Sequence, residues 1–419
     1  MTAEPQGAPA ATGSEGLLLR VAIAGLGGTL LLRLAGGIAT SALALYLRSL
    51  DVSPYSVALV ATGYYLAELL LSPVLGALSD RVGRRALMVI TPLIGAVALL
   101  LYPLSALVPV LALIRLLEGV SAAGAVPATL GYLSDLTSRS PHRGRIMGLF
   151  EMVTLIGLAG GTIIGPRVWT ALGTSTYAWL AGIYVLGALA FLLGLPHVGA
   201  ITRHRRSLKD YGAILASRRL MRFIPSWLAV NAILGLWVVH LQNQLSGEAG
   251  RVPGQALVGG LNGAALSNVM AAFAAAFLAG LYFWAARSGI GRRTTPMIWS
   301  GYGVLWVSVF LLLLNHPEWL PFLPGSLLFV LMLAGAFVMA GFTPVALAYL
   351  ADISEDFPND RGVVVGLYSV FLALGQLVGG NLGGAFVTAL HVDGIAILTA
   401  ILAVVAMLGI GNIRRVSAD

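Results

Sequence analysis

Cysteine is absent from this 419-residue chain, which excludes disulfides, thiolate nucleophiles and zinc–thiolate sites and leaves the redox compartment undetermined. Lysine occurs once, at Lys209, behind Ser207 and Leu208 in a basic stretch without a glycine run. The phosphate-cradling loop of an ATP-driven motor is therefore missing. The six histidines, His142, His197, His204, His240, His316 and His391, show no metal-ligand spacing, and no Gly-x-Ser-x-Gly or His-Glu-x-x-His string occurs. No enzyme activity, catalytic residue, metal or cofactor is expected.

Charge is scarce as well. Only 10% of residues are charged while 58% are hydrophobic, and the mean hydropathy is +0.90. Soluble domains hold nearer ~45–50% apolar residues, so this composition describes a polytopic membrane protein in contact with the lipid bilayer. The net charge of +8 would suit a nucleic-acid binder. The basic residues fall in short loops rather than along one face, and no nucleic-acid partner is expected.

Apolar segments at about 18–47, 54–78, 86–107, 109–134, 145–171, 176–195, 223–245, 255–286, 294–315, 322–351, 362–390 and 393–413 give twelve candidate spans, each near or above the ~20 residues that cross a bilayer. The expected organisation is a disordered tail over 1–17, a six-helix bundle over 18–195, a basic linker over 196–222, a second six-helix bundle over 223–413 and a tail over 414–419. With the linker in the cytoplasm, twenty of the 25 basic residues lie on that side and only Arg48, Arg167 and Arg251 on the other. The positive-inside rule then places both termini in the cytoplasm and the protein in a plasma or inner membrane. The first sixteen residues lack the basic start and cleavage site of a signal peptide.

The two halves repeat one another. Ala123-Gly124, Pro127, Leu130, Tyr132-Leu133 and Asp135 recur as Ala340-Gly341, Pro344, Leu347, Tyr349-Leu350 and Asp352. Arg143-Gly144, Gly148-Leu149, Gly157, Gly161 and Gly165 recur as Arg361-Gly362, Gly366-Leu367, Gly375, Gly379 and Gly383. Two copies of six spans enter the membrane in the same orientation, a transporter arrangement. The glycine combs, with Pro166, read as helix-packing surfaces.

Between the second and third spans runs Gly76-Ala77-Leu78-Ser79-Asp80-Arg81-Val82-Gly83-Arg84-Arg85. Gly76 and Gly83 permit close approach and a sharp reversal, Asp80 supplies a fixed negative charge, and Arg81, Arg84 and Arg85 hold the turn on one side. This stretch resembles the Gly-x-x-x-Asp-Arg-x-Gly-Arg-Arg signature between helices 2 and 3 of the major facilitator superfamily, matched at every fixed position. The resemblance implies an all-α fold of twelve transmembrane helices in two pseudo-symmetric six-helix bundles that rock about a central site. It looks most like the drug and metabolite proton antiporter branch. Gly161-Thr162-Ile163-Ile164-Gly165-Pro166 resembles the first part of the antiporter signature, but Arg167-Val168-Trp169-Thr170 replaces the second part. In the second half the acidic turn is degraded to Arg287-Ser288-Gly289-Ile290-Gly291-Arg292-Arg293.

Ionisable residues at membrane depth are costly, ~2.5–3.5 kcal/mol each on insertion scales, and mark cavities or partners. They are Arg33, Glu68, Arg115, Glu118 and Glu151, all in the first half. The second half offers Asn231, Gln242, Asn262, Asn268 and Gln376. Tyr64, Glu68 and Ser72 form a polar stripe at four-residue spacing that should line the cavity. Asn231 and Gln242, eleven residues apart, share a helix face, with interhelical contact as the alternative for Asn231. Arg115 and Glu118 share a face and either neutralise each other or act in the site. Arg115-Leu116-Leu117-Glu118-Gly119 also resembles the superfamily's helix 4 signature, whose Arg is implicated in proton transfer, with Glu118 where Gln is usual.

The expectation is a monomeric secondary transporter working by alternating access, with proton-coupled export of a small organic or amphiphilic substrate. Glu68 is the expected proton-responsive acid, coupled to Arg33, with a permanent Arg33–Glu68 pair as the alternative. Asp80 is expected to latch on the helix end near Gly362. Asp135, Arg143, Asp352 and Arg361 are expected either to form a cytoplasmic gate network or to cap helices. A lipid or anionic-amphiphile transporter, with Arg33 and Arg115 on the headgroup, is the second reading. A sensor or scaffold would need an output domain, for which a linker of about 27 residues has no room.

Overall fold

The structure is a computed structural model that describes residues 11–136, 143–196, 217–247, 251–287, 294–355 and 361–416. Twelve α-helices are described: α1 (Ala11–Ser49), α2 (Pro54–Val82), α3 (Arg84–Leu101), α4 (Val108–Leu136), α5 (Arg143–Leu172), α6 (Ser175–Gly194), α7 (Arg218–Leu245), α8 (Gly263–Arg287), α9 (Thr294–Asn315), α10 (Gly325–Met339), α11 (Phe342–Glu355) and α12 (Arg361–Val416). The expected tail over 1–17 overlaps α1, the linker over 196–222 overlaps α7, and the tail over 414–419 overlaps α12.

Helices and crossings do not correspond one to one. The tenth apolar span, Gly325–Ala346, includes α10 and the start of α11, with a break at Ala340 and Gly341, where Trp284 packs 2.8 Å from the position a Cβ on Gly341 would take. Conversely, the apolar stretch Val370–Arg414 is 45 residues long, about 68 Å as a straight helix against a hydrocarbon core of ~30 Å. His391, at φ 53 and ψ −125, breaks it. With that stretch counted as two, the described residues hold twelve candidate spans, and the protein is a multi-pass membrane protein.

Alternating helix direction gathers the arginines at one end. There Gly83 makes the reversal between α2 and α3 at φ 102, its amide donating to Ser79 O at 3.1 Å. That left-handed φ suits glycine alone. Arg20 donates to Leu193 O at 2.9 Å and Arg85 to Leu192 O, tying the starts of α1 and α3 to the end of α6. Arg84 fills the space beside Gly131 on α4. A Cβ on Gly76 would meet nothing within 4 Å, so the close approach expected at Gly76 is absent from this conformation.

The glycine combs do the same job in both halves. On α5, a Cβ at Gly157 would stand 2.7 Å from Arg33 Cβ, and Gly161 lies on the α1 backbone at Leu34 and Gly37. On α12, a Cβ at Gly375 would stand 2.5 Å from Asn231 Cβ, and Gly379 lies on the α7 backbone at Ala232. Arg33 and Asn231 therefore hold equivalent places in the two halves, one charged and one neutral.

The buried apolar residues reveal the conformation. At the arginine-rich end each half has its own cluster: Val21, Leu87, Tyr132 and Phe191 in the first, and Phe223, Trp227, Val345 and Ile410 in the second. At the opposite end one cluster runs through both halves, joining Leu43, Leu47 and Val60 to Leu245, Leu266 and Val387. Polar contacts cross there too: Asn243 Nδ2 to Ala44 O at 3.0 Å, Asn381 Nδ2 to Thr62 Oγ1 at 2.8 Å, and Arg167 Nη2 to Asn268 Oδ1 at 2.5 Å. Among the described residues, the halves are sealed at the end opposite the arginines.

Candidate functional site

A cavity of ≈60 Å³ lies within the first six helices. α1 supplies Arg33 and Thr40 to its wall, α2 Tyr64, α4 Glu118 and α6 Tyr184. The glycines explain how four helices come so close: Gly157 sets α5 on α1, and Gly119 sets α4 on the α2 backbone at Tyr64. Close backbones leave a narrow space into which only the side chains project.

Arg115 and Glu118 form a closed pair beside this cavity. Arg115 Nη1 donates to Glu118 Oε2 at 2.6 Å, and Arg115 and Glu118 are 5% and 2% exposed. Arg115 Nη2 donates to Thr40 Oγ1 at 3.3 Å, and the guanidinium stands 4.5 Å from the Tyr64 ring centroid. The Tyr102 hydroxyl donates to the same Glu118 Oε2 at 2.7 Å, and its ring stacks on Tyr177 at 4.9 Å. Opposite charges on one helix face, with Thr40 on the guanidinium and Tyr102 on the carboxylate, make burial at this depth tolerable, though Arg115 Nε is left without a partner. The arrangement is that of a mutually neutralising pair.

Glu68 has a different environment. It shares the α2 face of Tyr64 and feels the charges of both Arg33 and Arg115. Among the described residues, no ion pair within 4.0 Å joins it to either arginine. Arg33 Nε is buried without a hydrogen-bond partner. The permanent Arg33–Glu68 pair is therefore not formed in this conformation. The side chains of Glu151, Asp80, Asp135, Arg143, Asp352 and Arg361 lie outside the described ones.

Among the described residues, the polar side chains expected to line a cavity from the second half make contacts of other kinds. Asn231 Nδ2 donates to Trp227 O of its own helix at 2.8 Å, beneath Gly375. Gln242 Nε2 reaches Thr162 O at 3.5 Å, at the seal. Asn262 accepts from Ala265 N at 2.8 Å as a cap of α8, and Asn268 receives Arg167. The residue that interrupts the antiporter-like string on α5 is thus one that joins the two halves.

Thr40, Tyr102 and Tyr184 were not singled out from sequence, and no spacing connects them to Glu118. His240 was also missed: it is fully buried on α7, its Nε2 donating to Gly380 O at 2.9 Å. Gly383 packs against its ring, and a glycine opposite a polar ring was the one available signal.

Comparison with known proteins gives consistent likenesses. The family model described as Major Facilitator Superfamily matches residues 25–247. Multidrug resistance protein 2 of Bacillus subtilis (strain 168) is 22% identical over 355 residues, covering 81% of this chain and 82% of that protein. Quinolone resistance protein NorA of Staphylococcus aureus is 25% identical over 162 residues, 38% of this chain and 40% of NorA. Among solved structures, the nucleoside transporter NupG aligns with a TM-score of 0.70 at 17% identity, covering 95% of this chain and 98% of that one. A bacterial homologue of the human lysosomal transporter Spinster, inward-facing and unoccupied, aligns with a TM-score of 0.70 at 12% identity, covering 96% and 97%.

Proposed function

Because the chain belongs to the Major Facilitator Superfamily, we propose that it is a proton-coupled exporter of a small organic or amphiphilic molecule, working by alternating access. The observation that carries this reading is Glu68, a carboxylate on the membrane-spanning α2 that, among the described residues, has no ion pair to Arg33 or Arg115, while Arg33 Nε is buried without a partner. Burial and a neighbouring arginine pull a carboxylate's proton affinity in opposite directions. A rocking motion that changes its distance from Arg33, or its hydration, changes that affinity between states. Such a difference links a proton gradient to transport.

The arginine-rich end is cytoplasmic by the positive-inside rule. The seal on the opposite end then makes this the inward-open conformation. Arg115, Glu118 and Tyr102 tie α4 to the end of α3, while Arg33 and Tyr64 line the cavity beside them. The names of Multidrug resistance protein 2 and NorA support drug-like amphiphiles as the substrate class.

Proteoliposomes with an imposed pH gradient and a panel of lipophilic fluorescent dyes test the reading. Wild-type protein accumulates a dye against its gradient with stoichiometric proton movement. Glu68→Gln loses uphill accumulation and keeps downhill exchange, because Gln retains the shape and hydrogen bonding of the neutral acid. Uphill transport by Glu68→Gln at the wild-type rate removes Glu68 from coupling. Translocation of a labelled lysolipid without proton movement replaces the reading with lipid transport.

A further inference from the structure

On the sealed end of the second half, three connections that are distant in sequence meet at His316. The α7–α8 loop folds back on the end of α7, with Gly247 N donating to Leu261 O at 2.7 Å and Gly259 N to Gln244 O at 2.9 Å. Asn315, the last residue of α9, holds this loop: its carbonyl accepts from Ala256 N at 2.8 Å, its Oδ1 from Leu257 N at 3.0 Å, and its Nδ2 donates to Gln255 Oε1 at 2.9 Å. The same Nδ2 donates to Asp393 Oδ1 at 2.8 Å, just past the break in α12, and Gln255 Nε2 donates to Leu390 O at 3.1 Å just before it.

His316 closes the assembly. Its Nε2 lies 2.9 Å from Asp393 Oδ2, its Nδ1 lies 3.0 Å from Glu318 Oε1, and its ring stacks on Trp319 at 4.3 Å and 7°. Both ring nitrogens thus face carboxylate oxygens. An ionised carboxylate only accepts hydrogen bonds and a neutral imidazole has one N–H, so both contacts are satisfied only by the imidazolium. The stacked indole favours the same charged form.

We propose that His316, Asp393 and Glu318 form a proton-operated clasp that fastens the α7–α8 loop, the end of α9 and the α12 turn into one unit, steadying the seal against the first half and releasing it when His316 becomes neutral. The unit includes the seal's contacts: Asn243 on α7 reaches Ala44, and Gly384 on α12 packs against Ala58 and Tyr55. The clasp goes beyond proton coupling at Glu68, because it responds to the compartment facing the sealed end.

The direction follows from the environment of His316. Partial desolvation works against its charge, and the hydrogen bonds and charges of Asp393 and Glu318 outweigh it, holding the imidazole above its ordinary value of 6.5. A raised value means that the stabilisation is complete below about pH 6.5 and is lost as the pH rises through the higher value of the clasped state. Glu248 of the α7–α8 loop lies outside the described residues; among the described ones, Arg251 in that loop and His391 at the turn are the other ionisable residues of these segments, and neither pairs with His316.

Two measurements on full-length protein in nanodiscs test the clasp. Ring-labelled histidine NMR, assigned with His316→Gln, is expected to give His316 a midpoint above 6.5, falling by about one unit or more in Asp393→Asn. Labels on cysteines placed at exposed Leu104 and Phe322, in a chain with no native cysteine, report separation across the sealed end. In wild-type protein the distances lengthen as pH rises through the His316 midpoint; in His316→Gln that step is gone. The step persists in Glu68→Gln, so failure of proton coupling and failure of the clasp are distinguishable. A His316 midpoint at or below 6.5, or the same step in His316→Gln, overturns the proposal.

Discussion

Replacing Glu118 by Gln should destabilise the protein before it says anything about transport. The change leaves the Arg115 guanidinium, 5% exposed, with an amide oxygen in place of a carboxylate 2.6 Å away. Removing one partner of a buried ion pair costs about 3–5 kcal/mol, because the remaining charge is uncompensated. That is roughly two to four powers of ten in the unfolding equilibrium. Tyr102→Phe removes one hydrogen bond to a charged acceptor and should cost about 1.5–3 kcal/mol. The double replacement Arg115→Met with Glu118→Met removes both charges together and should recover most of the single-mutant loss, since apolar substitution of a whole buried pair is often neutral or better. Tryptophan-fluorescence unfolding in mixed micelles measures all of these, followed by the dye assay on those that fold. The double variant should be stable and, with the pair structural, should keep downhill dye exchange. A Glu118→Gln protein as stable as wild type, or a double variant no more stable than the single one, refutes the account of a structural pair.

Gly161→Val should clash with the α1 backbone at Leu34 and cost at least about 1–3 kcal/mol by overpacking, whereas Gly160→Val, whose Cβ would meet only Leu34 Cδ1 at 3.6 Å, should be tolerated; equal melting temperatures for the two would contradict the packing assignment. Asp80→Asn should raise the inward-open population in spin-label distances across the arginine-rich end, since a carboxylate at a helix N-terminus contributes about 0.3–2 kcal/mol to the closed state, and an unchanged distribution would remove the latch.

The scaffold was legible because its determinants are local or periodic. Apolar run lengths gave the crossings, and arginine positions sorted the loops. The glycine combs foretold helix pairs without naming partners: nothing in the spacing of Gly157 and Gly375 says that they press on Arg33 and Asn231. The site was less legible, because its contacts are tertiary. Glu118 is paired on its own helix with Arg115, which spacing revealed, but its second partner, Tyr102, comes from just past the far end of α3. Asn231 and Gln242 share a face as expected, yet helical spacing cannot tell a face turned to a cavity from one turned to a neighbouring helix. His316 and Asp393 are 77 residues apart, and a scattered histidine gives no hint of two carboxylates waiting for it.

The apolar cluster that runs through both halves at the sealed end has a thermal consequence. Opening that end exposes Leu43, Leu47 and Val60 on one side and Leu245, Leu266 and Val387 on the other, while closing the arginine-rich end brings charged loops together. Exposure of apolar surface raises heat capacity. The inward-to-outward equilibrium should therefore have a curved van't Hoff plot, with an enthalpy that changes along it. Cooling weakens the apolar seal, so a transporter with this distribution of greasy and charged surfaces carries a temperature dependence in its resting orientation that no single side chain confers.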